Sequence, residues 1–152
     1  MNIVLIQVRG SRFGIPAASV VELIRAVAVS PLPGAPKVVS GVINVRGSLT
    51  AVIDPAVVFG HPEVPVKSSD NFVLVSIPSR TVGLRVESAD ELVEIADADI
   101  QAASSVSSSA HRLGGVATLP DGLLVIYDPA KFLDEAEGIA LADALASASA
   151  SV

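Results

Sequence analysis

The sequence repeats itself once, and this internal duplication constrains the fold more than any other feature. Two blocks of the first half recur in the second half: residues 3–24 align on 72–93, and residues 41–57 align on 115–131. Both copies of the second block contain the triplet Asp-Pro-Ala. The Ser-rich run at residues 103–110 has room for the few additional residues of the second copy. Only two copies are present, so we expect a pair of similar subdomains rather than a solenoid.

Short apolar runs rich in β-branched residues recur along the chain, separated by Gly, Pro, Ser or Asp. They predict strands at residues 3–8, 13–15, 42–45, 49–53, 72–77, 82–86 and 123–127. Each copy is therefore expected to hold about five short strands, and a small sheet can protect its edges by curling into a closed or partly closed barrel. The predicted fold is all-β, with two tandem five-stranded, SH3-like β-barrel subdomains related by duplication.

A stretch rich in Gly, Pro and polar residues joins the two copies, and such a composition suits an exposed connection. After Phe132, apolar residues recur at helical spacing with acidic residues on the other side. The expected organisation is one domain with four parts: a first barrel at residues 1–60, a connection at 61–71, a second barrel at 72–133, and a C-terminal helix with an Ala/Ser tail at 134–152.

Charge and composition exclude several classes of partner. The formal net charge is −6 and the ten basic residues are scattered, which argues against binding a nucleic acid. Uncharged stretches such as residues 26–36, which contain three prolines, are too short to span a bilayer, and the N-terminus does not resemble a signal peptide. There is no cysteine for a disulfide or a thiolate nucleophile. We expect a cytoplasmic protein without direct membrane insertion.

No residues follow the pattern of a catalytic or metal site. Asp54 and Asp128 occupy equivalent places in the repeat, but each precedes a proline, which predicts a helix cap rather than a catalytic carboxylate. His61 and His111 have no second ligand at a metal-binding spacing. The serines at 104–109 have no neighbouring base to activate them. The sequence therefore predicts a binding protein that is not an enzyme and needs no cofactor or metal.

The most distinctive stretch is Gly41-Val42-Ile43-Asn44-Val45-Arg46-Gly47, a predicted strand followed by a glycine turn. Side chains of a strand alternate between its faces, so Asn44 and Arg46 are expected on one side. Two interpretations fit this pattern. One is a hairpin with an exposed arginine, and the other is a polar binding edge on an apolar sheet.

A resemblance to a known family favours the binding edge. Residues 42–47, Val-Ile-Asn-Val-Arg-Gly, follow the proline-rich segment 31–36 and precede a strand ending in Val-Ile-Asp-Pro. This arrangement resembles the hallmark of the CheW family of chemotaxis coupling proteins, which usually carry Leu where Val45 stands. Three further segments are similar to other blocks of that family: residues 15–24, 82–87 and 121–126. The resemblance covers residues 2–133 in order.

The resemblance implies a non-enzymatic adaptor that couples chemoreceptors to a CheA-type histidine kinase. It also implies that the hairpin tip of a receptor's cytoplasmic coiled coil binds in the groove between the two barrels. The receptor-binding residues would be Arg46, Glu22 and Asn44, with Glu22 pairing with Arg46. Such a pair, if partly buried, would fix the orientation of the guanidinium more than it would add stability.

For the kinase, the resemblance implies an apolar surface on the first barrel that contacts the kinase regulatory domain. The matching residues are Val4, Ala17 and Val20, for which an ordinary place in the barrel core is the alternative. An adaptor with these two partners would be recruited from the cytoplasm to membrane-associated receptor arrays.

Other functions stay open at this point. One alternative is a coupling protein of a non-flagellar chemosensory pathway, such as pilus-driven surface motility. Small five-stranded barrels also bind oligonucleotides, but four Phe, one Tyr and no Trp provide few stacking platforms, and the net charge has the wrong sign. A small hydrolase with an unrecognised site is the remaining alternative.

Overall fold

The computed structural model describes residues 1–101 and 113–150, so the predicted Ser-rich insertion and His111 lie outside the described residues. The strands within these ranges are β1 (Asn2–Val8), β2 (Ser11–Pro16), β3 (Val20–Arg25), β4 (Val39–Val45), β5 (Ser48–Ile53), β6 (Asn71–Ile77), β7 (Arg80–Val86), β8 (Ser88–Glu94), β9 (Ile100–Gln101), β10 (Leu113–Leu119) and β11 (Gly122–Tyr127). The helices are α1 (Pro55–Val58) and α2 (Glu135–Ala150), and single 3-10 turns lie at Ala17–Ser19, Asp97–Asp99 and Pro129–Lys131. All seven predicted strands are confirmed.

The strands form two sheets. Sheet A has the order β8-β1-β2-β11-β10-β9, and sheet B has the order β3-β6-β7-β5-β4. Neighbouring strands are antiparallel except for two short parallel contacts, β2 with β11 and β5 with β7. These parallel contacts are equivalent in the repeat, because Gly14 pairs with Ile126 in one and Gly83 pairs with Val52 in the other.

The two sheets are related by the duplication, but neither is built from one half of the chain. The duplication matches five strands of the first half, β1 to β5, with β6, β7, β8, β10 and β11 in that order. When each strand of sheet B is replaced by its counterpart, the order becomes that of sheet A without β9. Each sheet thus combines the hairpin of one half with three strands of the other, and sheet A also includes β9. The sheets therefore do not coincide with the predicted subdomains at residues 1–60 and 72–133. A repeat can be found in a sequence, whereas the choice of pairing partner depends on tertiary contacts.

The predicted five-stranded barrels are not confirmed, because both sheets are open. Sheet B ends at β3 and β4, and sheet A has six strands rather than five. The chain beyond β3 nevertheless crosses to the opposite edge of sheet B, where Ser30 N donates to Val42 O (2.9 Å) and Val42 N donates to Ser30 O (2.8 Å). In sheet A, the chain beyond β8 makes the equivalent crossing, and β9 pairs with β10 beside Val116. Each sheet is therefore curled although its ladder is not continuous.

Within the described ranges, the apolar core has three parts. A large shared core draws residues from both sheets and includes Ile15, Val75 and Leu84. A smaller cluster lies against sheet A alone, and another, formed by Ile43, Val52 and Phe72, lies against sheet B alone. This arrangement follows from strands that are buried on both faces, as their nearly continuous apolar sequences indicate.

The predicted C-terminal helix is confirmed as α2. It begins after Asp134, whose carboxylate accepts a hydrogen bond from Glu137 N (2.7 Å) while Asp134 N donates to the Glu137 carboxylate (2.9 Å). This reciprocal pair is a capping box. Leu141 and Ala144 anchor the helix in the shared core. Neither α2 nor any other helix in the described residues is long and apolar enough to cross a bilayer.

Candidate functional site

The turn between β4 and β5 projects Arg46 from the fold. Arg46 and Gly47 are consecutive residues with positive φ, +50° and +87°, as in the two-residue type I′ turns that suit the twist of a hairpin. The side chain of Asn44 accepts a hydrogen bond from Gly47 N (2.8 Å) and so stabilises the turn. Arg46 therefore belongs to the turn itself, which corrects the expectation that it shares a strand face with Asn44.

Glu22 on β3 holds the guanidinium of Arg46. Arg46 Nη2 lies 2.6 Å from Glu22 Oε2, and Nη1 lies 3.4 Å from Oε1, so both ends of the guanidinium contact the carboxylate. The side chain of Arg46 is 70% exposed and that of Glu22 is 37% exposed. The predicted pairing is present, with an exposed Arg46 and a half-buried Glu22. Its main effect is to restrict the orientation of the arginine.

The ion pair joins the two edges of sheet B. Glu22 lies on the edge strand β3, and Arg46 follows the opposite edge strand β4. Ile24, on the same face of β3 as Glu22, packs with Val45 against the small cluster of sheet B. Arg46 and Glu22 thus cover one open end of the curled sheet with a charged pair.

The ion pair favours the charged form of both Glu22 and Arg46. The hydrogen bond from Arg46 is the main cause that lowers the pKa of Glu22, its charge acts in the same direction, and partial desolvation opposes both. The hydrogen bond with Glu22 raises the pKa of Arg46. Both groups therefore carry charge at neutral pH.

A titration of the Glu22 carboxyl tests this geometry. Because its folded pKa is lowered, the pair contributes to stability above the unfolded pKa of Glu22, and that contribution is lost as the pH falls through the folded pKa. We expect NMR of the side-chain carboxyl carbon to give a lowered pKa for Glu22, and Arg46→Ala to raise it. An unchanged Glu22 pKa in Arg46→Ala would contradict the pairing.

The three residues assigned to the kinase lie on three elements of the first half of the chain. Val4 is on β1, opposite Ile15 and Leu92, whereas Ala17 is in the first 3-10 turn and Val20 begins β3. All three are half-buried, and Val4 and Val20 pack against the shared core. Their binding role stays a prediction.

The two Asp-Pro dipeptides lie where a strand leads into a helical turn. Asp54 accepts a hydrogen bond from Ala56 N (3.0 Å) at the start of α1. Asp128 accepts one from Ala130 N (3.0 Å) at the equivalent 3-10 turn. Each aspartate thus caps the turn that follows it. In the part of the chain that the structure describes, no group of three or more His, Asp or Glu side chains could hold a metal ion.

Sequence reasoning missed a buried ion network around Arg85 on β7. Arg85 is 7% exposed and contacts two buried carboxylates, with Nε 3.0 Å from Asp70 Oδ2 and Nη1 3.5 Å from Asp54 Oδ2. Its guanidinium also donates to the carbonyl oxygens of Val64 (2.6 Å) and Pro65 (2.8 Å). The available signal was a charged residue inside the apolar run of β7.

Known proteins resemble this chain over most of its length. Residues 2–137 match the family described as CheW-like domain. The chemotaxis protein CheW of Treponema pallidum is 24% identical over 142 residues, which cover 90% of this chain and 84% of that protein. The Klebsiella aerogenes protein of the same name is 26% identical over 136 residues, covering 88% and 81%.

Two further comparisons differ in their extent. The chemotaxis protein CheW of Rhizobium meliloti is 30% identical over 83 residues, and this match spans 55% of the chain and 54% of that protein. The scaffolding protein TtCheW from Thermoanaerobacter tengcongensis has a crystal structure with the same fold, with a TM-score of 0.78 at 23% identity over 90% of this chain and 89% of that one. The match of the family across residues 2–137 decides the assignment, and this chain belongs to the CheW-like domain family.

Proposed function

We propose that the protein is a non-enzymatic adaptor that couples chemoreceptors to a CheA-type histidine kinase. The observation that carries this proposal is the exposed guanidinium of Arg46, which the turn presents and Glu22 orients. The family assignment and the relatives named as chemotaxis proteins support the same function. An adaptor acts by position alone, because binding two partners at once raises the effective concentration of each for the other.

In this proposal, Arg46 is the contact that recognises the receptor. Glu22 occupies both Nη atoms from one side, which leaves the other N–H donors of the planar guanidinium for acceptors on a receptor hairpin tip. A side chain already held in one orientation loses less conformational entropy on binding than a free one does. Asn44 contributes indirectly by stabilising the turn.

The kinase contact would involve β1, the first 3-10 turn and the start of β3. Val4, Ala17 and Val20 border the shared core, and Leu92, the cross-strand neighbour of Val4, is 62% exposed. Leu92 thus extends the apolar surface that these residues offer to a kinase regulatory domain. An apolar contact on one surface and an oriented charge on another allow both partners to bind together, in the cytoplasm at a membrane-associated receptor array.

Arg46→Glu tests the receptor contact. We expect it to reduce capture of a receptor cytoplasmic fragment by about tenfold or more, because arginines near the centre of an interface often dominate its affinity. The melting temperature should stay nearly unchanged, because exposed ion pairs contribute little to stability. The measurement is a quantitative pull-down with receptor and kinase fragments, alongside thermal unfolding.

Arg25→Glu is the matched control, because Arg25 is an exposed arginine on the same strand as Glu22. It makes the same change of charge outside the turn and should leave receptor capture within about twofold. Equal losses for both variants would mean that net charge, and not the oriented arginine, governs binding. A large drop in melting temperature for Arg46→Glu would make Arg46 a structural residue.

A further inference from the structure

A groove of about 450 Å³ opens at the end of sheet B remote from Arg46. Its walls are two stretches of consecutive residues, 26–29 after β3 and 63–68 before β6, with Ser40 and Arg85 at its base. Side chains of an extended chain alternate between two faces, so a wall formed by consecutive residues exposes the edge of its backbone. The groove thus lies between two backbone edges rather than on the face of a sheet.

The groove is a split in the pairing of β3 with β6. The register of that pair runs to Arg25 opposite Asn71, and Ala26 N still donates to Asp70 O (3.0 Å). Beyond this point the segment after β3 and the segment before β6 separate. The segment before β6 turns away between Lys67 and Asp70, where Asp70 N donates to Lys67 O (3.0 Å). The segment after β3 makes its next backbone hydrogen bonds at Ser30, which pairs with Val42 on β4.

The backbone between these two anchors has free hydrogen-bonding groups. In the described residues, the N–H groups of Val27, Ala28 and Val29 have no hydrogen-bond partner. Val27 is half-exposed and Ala28 is exposed. An unpaired strand edge of this kind is a template to which another strand can add.

The opposite wall is fixed in place. Arg85 donates to the carbonyl oxygens of Val64 and Pro65, and Asp70 accepts hydrogen bonds from Arg85 Nε and from Lys67 N (2.9 Å). The groove is therefore held open by a buried ion network and does not have to form on binding. Such preorganisation reduces the cost of accepting a ligand.

We propose that this groove binds an extended peptide segment of a partner protein, which adds as a β-strand to the backbone of residues 27–29. Main-chain hydrogen bonds provide affinity in this mode, and pockets for alternate side chains provide specificity. Val29, Val64 and Val66 favour small or β-branched apolar side chains. Glu63 and Lys67 carry opposite charges at the rim, so a peptide without strong net charge fits best. This surface is separate from Arg46 and Glu22, and the proposal does not depend on receptor coupling.

The test selects a phage-displayed library of linear heptapeptides on the full-length protein and titrates a synthetic copy of the recovered peptide into ¹⁵N-labelled protein. We expect NMR shifts concentrated at residues 26–29 and 63–68. We also expect the amide of Ala28 to exchange about tenfold or more slowly with peptide bound, because its N–H points to the same edge as that of Ala26, which faces β6, and exchange reports hydrogen bonding. This exchange measurement needs no variant.

Ala28→Pro separates backbone pairing from side-chain binding. Proline removes a donor that has no partner in the free protein, so unfolding by urea should change little, whereas peptide affinity should fall about tenfold through the loss of one main-chain bond. Ala28→Ser keeps the donor and should bind within about twofold of wild type. The proposal is overturned if no peptide is enriched, if the shifts map elsewhere, or if Ala28→Pro binds as well as Ala28→Ser. Receptor capture should be the same for both variants.

Discussion

Replacing Arg85 by methionine is expected to destabilise the protein by about 3–5 kcal/mol. Arg85, Asp54 and Asp70 are all buried, and the arginine is the cation that both carboxylates contact. Methionine has a similar length but no charge, so two carboxylates would stay buried without a cation beside them. The carbonyl oxygens of Val64 and Pro65 would also lose their donors. The measurement is urea unfolding followed by circular dichroism, with the change in unfolding free energy as the result.

Two further variants make the Arg85 experiment decisive. Arg25→Met makes the same chemical change at an exposed site on β3 and should alter the unfolding free energy by less than about 0.5 kcal/mol. The triple variant Arg85→Met, Asp54→Asn, Asp70→Asn should recover part of the loss, because neutral partners cost less to bury than unpaired charges. A loss below about 1 kcal/mol for Arg85→Met would show that water reaches the network.

Gly41→Ala is expected to cost about 3 kcal/mol, for steric reasons. Gly41 adopts φ +150° at the register shift of β4, beside the crossing of Ser30. A Cβ atom there would overlap the carbonyl oxygen of Ser30 and lie 2.7 Å from Val29 Cγ1. The backbone oxygen cannot move away without loss of the Ser30 to Val42 hydrogen bonds that bring the chain across sheet B.

The control for Gly41 is the same substitution in α2. A methyl group added at Gly138 would meet no atom within 4 Å beyond its neighbours and the backbone of its own helix, so Gly138→Ala should stabilise the protein by about 0.5–1 kcal/mol through helix propensity. If the two Gly→Ala substitutions change the unfolding free energy in opposite directions, the loss at Gly41 comes from steric overlap and the gain at Gly138 from chain entropy. A cost below about 1 kcal/mol for Gly41→Ala would mean that the segment around Ser30 adapts easily.

The sequence was most informative where local chemistry decides the structure. Apolar runs bounded by turn residues predicted seven strands, and the Asp-Pro dipeptides predicted two caps. The same pattern missed β3, β8, β9 and β10. Of these, β3 and β8 are edge strands that carry Glu22 or Glu91 among their apolar residues and so lack a continuous apolar run. Edge strands face solvent, and their sequences are correspondingly less distinctive.

The remaining features depend on contacts between distant residues. Arg85 reaches Asp70 and Asp54 across 15 and 31 residues of sequence, and no local pattern predicts that pairing. Gly41 was recognised as part of a motif. The reason that a side chain does not fit there is the close backbone of Ser30, which the sequence does not reveal. The pairing of Glu22 with Arg46 came from family resemblance alone, because the two residues lie on opposite edges of one sheet.

The exchange of strands between the two halves sets the order in which the protein can assemble during synthesis. Sheet B takes its strands from one continuous stretch, β3 to β7, so all of its pairing partners leave the ribosome before β8 does. Sheet A joins the first hairpin to strands near the other end of the chain, so β1 and β2 emerge first but find their partners last. Long-range pairing of this kind is slow because a long loop must close first. A growing chain that has completed one copy of the repeat therefore holds neither sheet.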